Sequence, residues 1–378
     1  MMDHIPCNSE EVRDLVAQAL ASGTKLEIKG GGSRADFGAP GRQADSLCLS
    51  SLSGILDYDP AELVLTAKAG TSLAEVKAAV AARGQALAFE PWGGARCTLG
   101  GVVAASVAGP RRVSAGGVRD HLLGFEAVSG RAEIFRAGAK VVKNVTGYDL
   151  PKLICGSWGR LAVLTEVTLK VLPRPQMSRT LLWRGLEDEQ AFALMRAALR
   201  LPADVAAAAC YAGAYTLVRL DGFEPSVAAR REVLMTSLAA YGLPETLETI
   251  EAMPFWAQLQ GGAALPLQPP LWRLSLPPRR ALAALVPLRE RGAQYLADWA
   301  GGLIWLTLSG YEDELRHYAA QEGGHAQLVR APASLRAWVP ALHPQSPGIE
   351  ALSRRVRRAF DPMGVFEINR FLDEPHED

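Results

Sequence analysis

Residues 138–170 read GAKVVKNVTGYDLPKLICGSWGRLAVLTEVTLK, and this stretch decides the fold. A short apolar run at 140–142 leads through Lys143-Asn144 to Gly147-Tyr148-Asp149. Residues 150–155 are suited to a short helix closed by Gly156. After Gly159 the chain runs LAVLTEVTLK, rich in β-branched residues, apolar at first and alternating late. That pattern predicts a mostly buried strand over 161–170. Gly156 and Gly159 bracket a tight turn. A glycine there either supplies a positive φ or leaves room for a ligand, and both readings stand at this point.

Upstream, Ser9–Ser22 is patterned as an amphipathic helix, with Ser9 as N-cap, a stripe of Val12, Leu15, Val16, Ala19 and Leu20, and Gly23 at its end. A strand over 25–29 runs into Gly30-Gly31-Gly32-Ser33-Arg34. Glycines after a strand suit a backbone nest, whose N–H groups converge on an anion; a loose turn is the bland alternative. No GK[ST] follows, so this is not a P-loop, and no GxGxxG opens a long helix, so a Rossmann reading fails. Strands are expected over 47–50 and 63–67, and Ser72 caps a helix over 73–82. A turn-rich segment spans 89–94. Thr98-Leu99-Gly100-Gly101 then opens a run of small residues, 102–108, which admits either another backbone or a flat ligand at close range. Residues 122–128 and 131–136 form a hairpin around Ser129-Gly130.

Pro173-Arg174-Pro175 stops the preceding strand and marks a boundary. Beyond it the pattern reads strand 179–184, helix 188–199, hairpin 206–211 with 215–220, helix 227–241 and strand 246–250. The order then recurs: strand 271–276, helix 279–291, hairpin 293–299 with 303–309, helix 312–321 and strand 326–330. Two βαββαβ units make a double ferredoxin-like sheet of α+β type. A basic amphipathic helix, 349–360, and a closing segment, 361–366, end the ordered pattern.

The chain has 378 residues, enough for two domains, and its 40 basic and 40 acidic residues cancel. No basic excess advertises nucleic acid. The polar first residues lack a signal-peptide core, and no apolar run is long enough to span a membrane, so the expectation is a cytoplasmic protein. Cys7, Cys48, Cys97, Cys155 and Cys210 are scattered and never form CxxC, which argues against a disulfide framework or an iron–sulfur cluster held by this chain alone. The six histidines form no HxH or HxxxH pair, so no metal site is expected.

Together, KGGGSR (29–34), AGTSLAEV (69–76), TLGGVVAAS (98–106), GPRRVSAGGVRDHLLG (109–124), KNVTGYDLPKLICGS (143–157), WRLS (272–275) and FDPMGVF (360–366) resemble the FAD-binding fold of the vanillyl-alcohol-oxidase superfamily. More narrowly, they are similar to the smaller FAD-binding subunits of bacterial glycolate oxidases. The middle third is specific; the region after Pro175 is similar mainly at isolated motifs.

The resemblance implies an α+β architecture. A FAD-binding domain of two subdomains (1–70 and 71–174) carries a ferredoxin-like cap (175–345), and a C-terminal segment (346–378) returns to the first domain. It implies FAD, with the pyrophosphate on backbone N–H groups of Gly30, Gly31, Gly32 and Ser33 and of the Thr98, Gly100 and Gly101 segment. Gly159, Leu161 and Val163 would face the flavin or adenine end. Covalently flavinylated relatives carry a histidine where Ser33 stands, so non-covalent FAD is expected. Gly159-Arg160-Leu161-Ala162-Val163 replaces a GTLGV run, and Phe366-Glu367-Ile368-Asn369-Arg370 replaces FNPGR. The implied function is a subunit of a complex oxidising glycolate to glyoxylate, or D-lactate to pyruvate. Electrons would leave through a larger FAD-binding subunit and an iron–sulfur subunit, with peripheral contact to the inner membrane through the complex. The alternative is an assembly and electron-transfer subunit whose larger partner does the chemistry. Such chemistry needs a cation for the substrate carboxylate, for which Arg273 and Arg111 are candidates, with ordinary ion pairing as the competing reading for each. No base stands out: His121 and His317 read as surface histidines.

Overall fold

A computed structural model describes residues 2–40, 43–138 and 147–372. The predicted run at 140–142 and the Lys143-Asn144 pair lie outside the described residues.

The first part of the chain builds two sheets. A three-stranded parallel sheet has the order β1 (Asp3–His4), β3 (Asp45–Cys48), β2 (Leu26–Lys29). Helix Ser9–Ser22 covers it through Val12, Val16 and Ala19. Asn8, not Ser9, caps this helix: its side chain accepts the Glu11 N–H, while the Ser9 hydroxyl donates to Glu126. A five-stranded antiparallel sheet follows, in the order β4 (Ile55–Asp59), β5 (Val64–Lys68), β9 (Ala162–Lys170), β7 (Leu122–Ser129), β8 (Ile134–Gly138). Strand β9 is central in it. Its first four residues are buried and its last five alternate, which is the pattern of apolar residues in LAVLTEVTLK. Helices Leu73–Ala81 and Leu99–Ala105 pack their apolar residues into the same core. Two-residue strands β6 (Gln85–Ala86) and β10 (Leu172–Pro173) pair antiparallel.

The remainder is built on one eight-stranded sheet. Its first unit is β11 (Met177–Arg184), β12 (Val205–Tyr211), β13 (Tyr215–Gly222) and β14 (Glu245–Glu248). Its second is β15 (Leu271–Ser275), β16 (Gln294–Asp298), β17 (Leu303–Thr307) and β18 (His325–Arg330). The order is β14-β11-β13-β12-β16-β17-β15-β18. Each half has the ferredoxin-like order, and the halves meet where β12 pairs β16. Helices Asp188–Arg200, Ala281–Arg289 and Glu312–Gln321 cover one face around Phe192, Leu285 and Leu315.

Strand 246–250 was too long by the sequence reading. It ends at Glu248, and a helix, Thr249–Leu259, begins. The Glu248 N–H is satisfied by the Glu251 carboxylate, which starts the helix without a Ser, Thr, Asp or Asn cap. Trp256 and Leu259 bury this helix against the other face of the sheet. The C-terminal helix, Pro347–Phe360, returns to the five-stranded sheet through Val356 and Phe360. There the Asp361 carboxylate accepts the N–H groups of Val365 and Phe366, both at 2.8 Å. No helix among the described residues is long and apolar enough to cross a membrane.

Candidate functional site

The glycine run leaving β2 lies in a groove between the two small sheets. Its lining includes Gly30–Arg34, Thr98, Gly100, Gly101, Ala104, Ala105, Trp158, Gly159 and Arg370. The N–H groups of Gly31, Gly32 and Ser33 have no hydrogen-bond partner among the described residues. Three consecutive free amides beside the Arg34 guanidinium are what an anion cradle requires. The run must be glycine for packing reasons as well. A Cβ on Gly31 would lie 1.5 Å from the Arg96 carbonyl oxygen, and one on Gly30 would lie 2.3 Å from Thr98 Oγ1.

The second glycine segment acts differently from the expectation. The Gly100 N–H donates to the Ala69 carbonyl at 2.7 Å, and the Gly101 N–H donates to Thr98 Oγ1 at 3.3 Å. The Leu99 N–H donates to the Thr71 carbonyl. These amides are spent on capping helix Leu99–Ala105. What Gly100 gives the groove is space: its Cβ would sit 2.7 Å from Ala69 Cβ. The small-residue run thus serves both readings, with its backbone packed on Ala69 and Ala104 and Ala105 facing the groove.

The turn at Gly156–Gly159 also faces the groove. Gly156 and Trp158 donate their N–H groups to the Val103 and Ala104 carbonyls, which seats the turn on the end of helix Leu99–Ala105. Trp158 stacks on Phe37, with centroids 4.2 Å apart and planes 5° apart. Gly159 lines the groove, but Leu161 and Val163 do not; Ala162 and Leu164 do. Leu161 and Val163 point into the hydrophobic cores on either side. Ala162 therefore places its methyl on the groove wall.

The groove opens at Gly32–Ala35, Ala105 and Trp158 into a cleft of about 630 Å3 beneath the eight-stranded sheet. Trp92, Leu271, Leu303 and Trp305 give it apolar walls, and Arg34, Arg96, Arg273 and Arg330 give it charge. The carboxylate among these lining residues is Asp36, 87 % exposed and paired with Arg336. Arg273 projects from β15, and its Nη1 donates to Gln327 Oε1 at 3.2 Å. It has no carboxylate partner among the described residues. Burial, with the like charge of Arg112, pulls its pKa down to about 10, so it stays a cation at neutral pH.

The second candidate arginine is elsewhere. Arg111 pairs with Asp221 at 3.3 Å, next to the Arg219–Glu90 pair at 2.7 Å. These pairs join the glycine-rich part to the eight-stranded sheet. Arg111 takes the ion-pair reading and Arg273 does not. His121 is buried, not at the surface as expected; its Nε2 lies 2.8 Å from the Ala115 carbonyl. His317 is exposed. Sequence reasoning also missed Arg34, Trp158, Gln327 and Arg370 as site residues. Arg34 had a usable signal, since it directly follows the glycine run; the others depend on tertiary contacts.

Residues 4–138 match the FAD binding domain family. Over 372 residues, 97 % of this chain and 98 % of its relative, the sequence is 36 % identical to glycolate oxidase subunit GlcE of Escherichia coli (strain K12). The chain belongs to the GlcE family of glycolate oxidase subunits. The GlcE-family chain is also 29 % identical over 178 residues to glycolate oxidase subunit GlcD of Bacillus subtilis (strain 168), which is 47 % of this chain and 38 % of GlcD. Among solved structures, p-cresol methylhydroxylase superposes with a TM-score of 0.77 at 14 % identity, covering 99 % of this chain and 90 % of that one. At that identity the likeness concerns fold alone, and it places this GlcE-family chain in the two-subdomain FAD-binding fold with an α+β cap.

Proposed function

We propose that this chain is the FAD-binding subunit of a multi-subunit complex that oxidises glycolate, or a similar small 2-hydroxy acid, to the 2-oxo acid. The observation that carries the proposal is the junction of a cradle of free amides with a cleft holding Arg273, which is half-buried and has no carboxylate partner among the described residues. The groove suits FAD: Gly31, Gly32 and Ser33 would hold the pyrophosphate with Arg34 beside it, and the flat walls at Gly100, Ala104, Ala105, Gly159 and Ala162 leave room for rings. Ser33 offers no imidazole for a covalent link, which supports non-covalent binding. FAD, when bound, supplies the two-electron oxidising capacity. Arg273 binds the substrate carboxylate, and the apolar side chains of Trp92, Trp305 and Leu303 that share the cleft lower the local dielectric and strengthen that ion pair. The division of labour follows the residue ranges 1–174 for FAD, 175–345 for the cap and 346–378 for the returning segment. Onward electron transfer runs through a larger flavin subunit and an iron–sulfur subunit, a reading with which the absence of a CxxC pair among the five cysteines of this chain is compatible. The complex is read as cytoplasmic, meeting the inner membrane through a partner.

Arg273→Met in the assembled complex tests this. Truncating one side of a desolvated charge pair costs about 2–5 kcal/mol, so kcat/KM for glycolate should fall by about 30-fold or more. Flavin content should be unchanged. An Arg273→Met complex with wild-type kcat/KM would refute the assignment.

A further inference from the structure

We infer that Trp299 and Gln327 are positioning residues for Arg273, and that Trp299 couples the anion site of the cleft to the docking of the cap on the FAD-binding domain. This rests on the reading of Arg273 as the carboxylate anchor. On the cap sheet, Trp305 and Gln327 are the cross-strand neighbours of Arg273. An arginine side chain on a strand can swing widely. This one is fixed by the Gln327 Oε1 acceptor at 3.2 Å and by an aromatic face, the Trp299 ring, 5.6 Å from its guanidinium carbon.

Trp299 does not line the cleft; it is 8 % exposed and acts from beneath. Its own position is held by contacts from both domains. The Asp298 carboxylate accepts its backbone N–H at 2.7 Å. Its indole Nε1 donates to the Gly109 carbonyl at 3.1 Å, and the Arg112 guanidinium lies over its ring at 4.5 Å. Gly109 and Arg112 belong to the FAD-binding part, whereas Trp299 and Asp298 follow and end β16 in the cap. The backbone here is strained: Trp299 and Ala300 both have φ of +53°, and Gly301 has +98°. Non-glycine residues keep such a conformation only where the surroundings over-determine it, and ligand clamps are a common setting. A cap that lifts from the FAD-binding domain withdraws the indole from Gly109 and Arg112, and Arg273 loses the surface that orients it. A docked cap and an oriented carboxylate anchor are then one state.

The test uses FAD-loaded protein and oxalate as the probe, with affinity from titration calorimetry, and with flavin content and melting temperature as controls. Arg273→Met should weaken oxalate by about 100-fold, the scale of a truncated buried charge pair. Trp299→Leu and Gln327→Leu should each weaken it about tenfold, the scale of one cation–π contact and the lower end of one charged hydrogen bond. Trp299→Phe keeps an aromatic face and should return to within about threefold of wild type. In the complex, Trp299→Leu and Gln327→Leu should raise KM for glycolate while kcat is kept. Wild-type oxalate affinity in Trp299→Leu and Gln327→Leu, with Arg273→Met impaired, overturns the inference and leaves the Arg273 reading standing. Wild-type affinity in Arg273→Met overturns both. A Trp299→Phe as weak as Trp299→Leu overturns the stacking role. Should Trp299→Leu lose its flavin, Gln327→Leu and Trp299→Phe decide by the same criteria.

Discussion

Replacing Gly31 by alanine should empty the cradle of FAD. The added methyl carbon would stand 1.5 Å from the Arg96 carbonyl oxygen, where ordinary contact begins at 3.4 Å. One backbone must therefore move by about 2 Å, and overpacking of this kind costs about 1–3 kcal/mol in the fold itself. The larger effect falls on the ligand. A shift of that size takes the Gly31 and Gly32 amides out of hydrogen-bonding range of a diphosphate. Each hydrogen bond to a charged group is worth about 1.5–3 kcal/mol, so the loss of two weakens FAD by roughly a hundredfold to ten-thousandfold. Gly32→Ala is the control, because nothing lies within 4 Å of its Cβ. Its φ of +69° still penalises alanine by about 1–2 kcal/mol, which lowers stability without displacing the loop. The assay is the ratio of flavin to protein absorbance after purification. Gly31→Ala should be nearly colourless and Gly32→Ala yellow. A yellow Gly31→Ala with wild-type flavin content would refute the placement of the pyrophosphate.

Two further predictions concern attachment and pH. Acid precipitation should release all the flavin into the supernatant, since Ser33 offers no attachment point; flavin retained in the pellet would contradict this. Asp298 is buried, and that burial raises its pKa to about 7. The folded state thus holds a proton that the unfolded chain has released, so stability falls as pH rises from about 4 to about 7 and the full cost remains above that. Asp298→Asn can still accept the Trp299 N–H. It should be the more stable protein at pH 8 by up to about 4 kcal/mol, converging with wild type near pH 4 in urea unfolding. A constant difference across that range would show that Asp298 does not titrate this way.

Much of the architecture was legible because local signals agreed. The Ser72 cap and the repeated βαββαβ order each specify one outcome, and the glycine run narrowed to a nest or a loose turn. The phase of β9 was not legible, because Leu161-Ala162-Val163-Leu164 is apolar on both faces and no polar residue marks which side meets the groove. Gly100 and Gly101 announced close approach, but not that Ala69 and Thr98 would take their amides. Helix Thr249–Leu259 was hidden by β-branched Thr249-Ile250, by Pro254 and by a Glu248 start. Arg111 and Arg273 look alike in sequence. What separates them is tertiary: Asp221 reaches one, and the other faces a cleft whose lining carboxylate, Asp36, is paired with Arg336 instead. Trp158 and Trp299, both non-glycine residues at positive φ, gave no sequence signal at all.

The most direct test of the account is the visible spectrum of the purified chain, before and after anaerobic glycolate. Bands near ~375 and ~450 nm, ordinary values for oxidised flavin, should be present and should bleach. A colourless chain that takes up no added FAD would contradict the cradle, and bands that persist under glycolate would contradict the substrate site at Arg273.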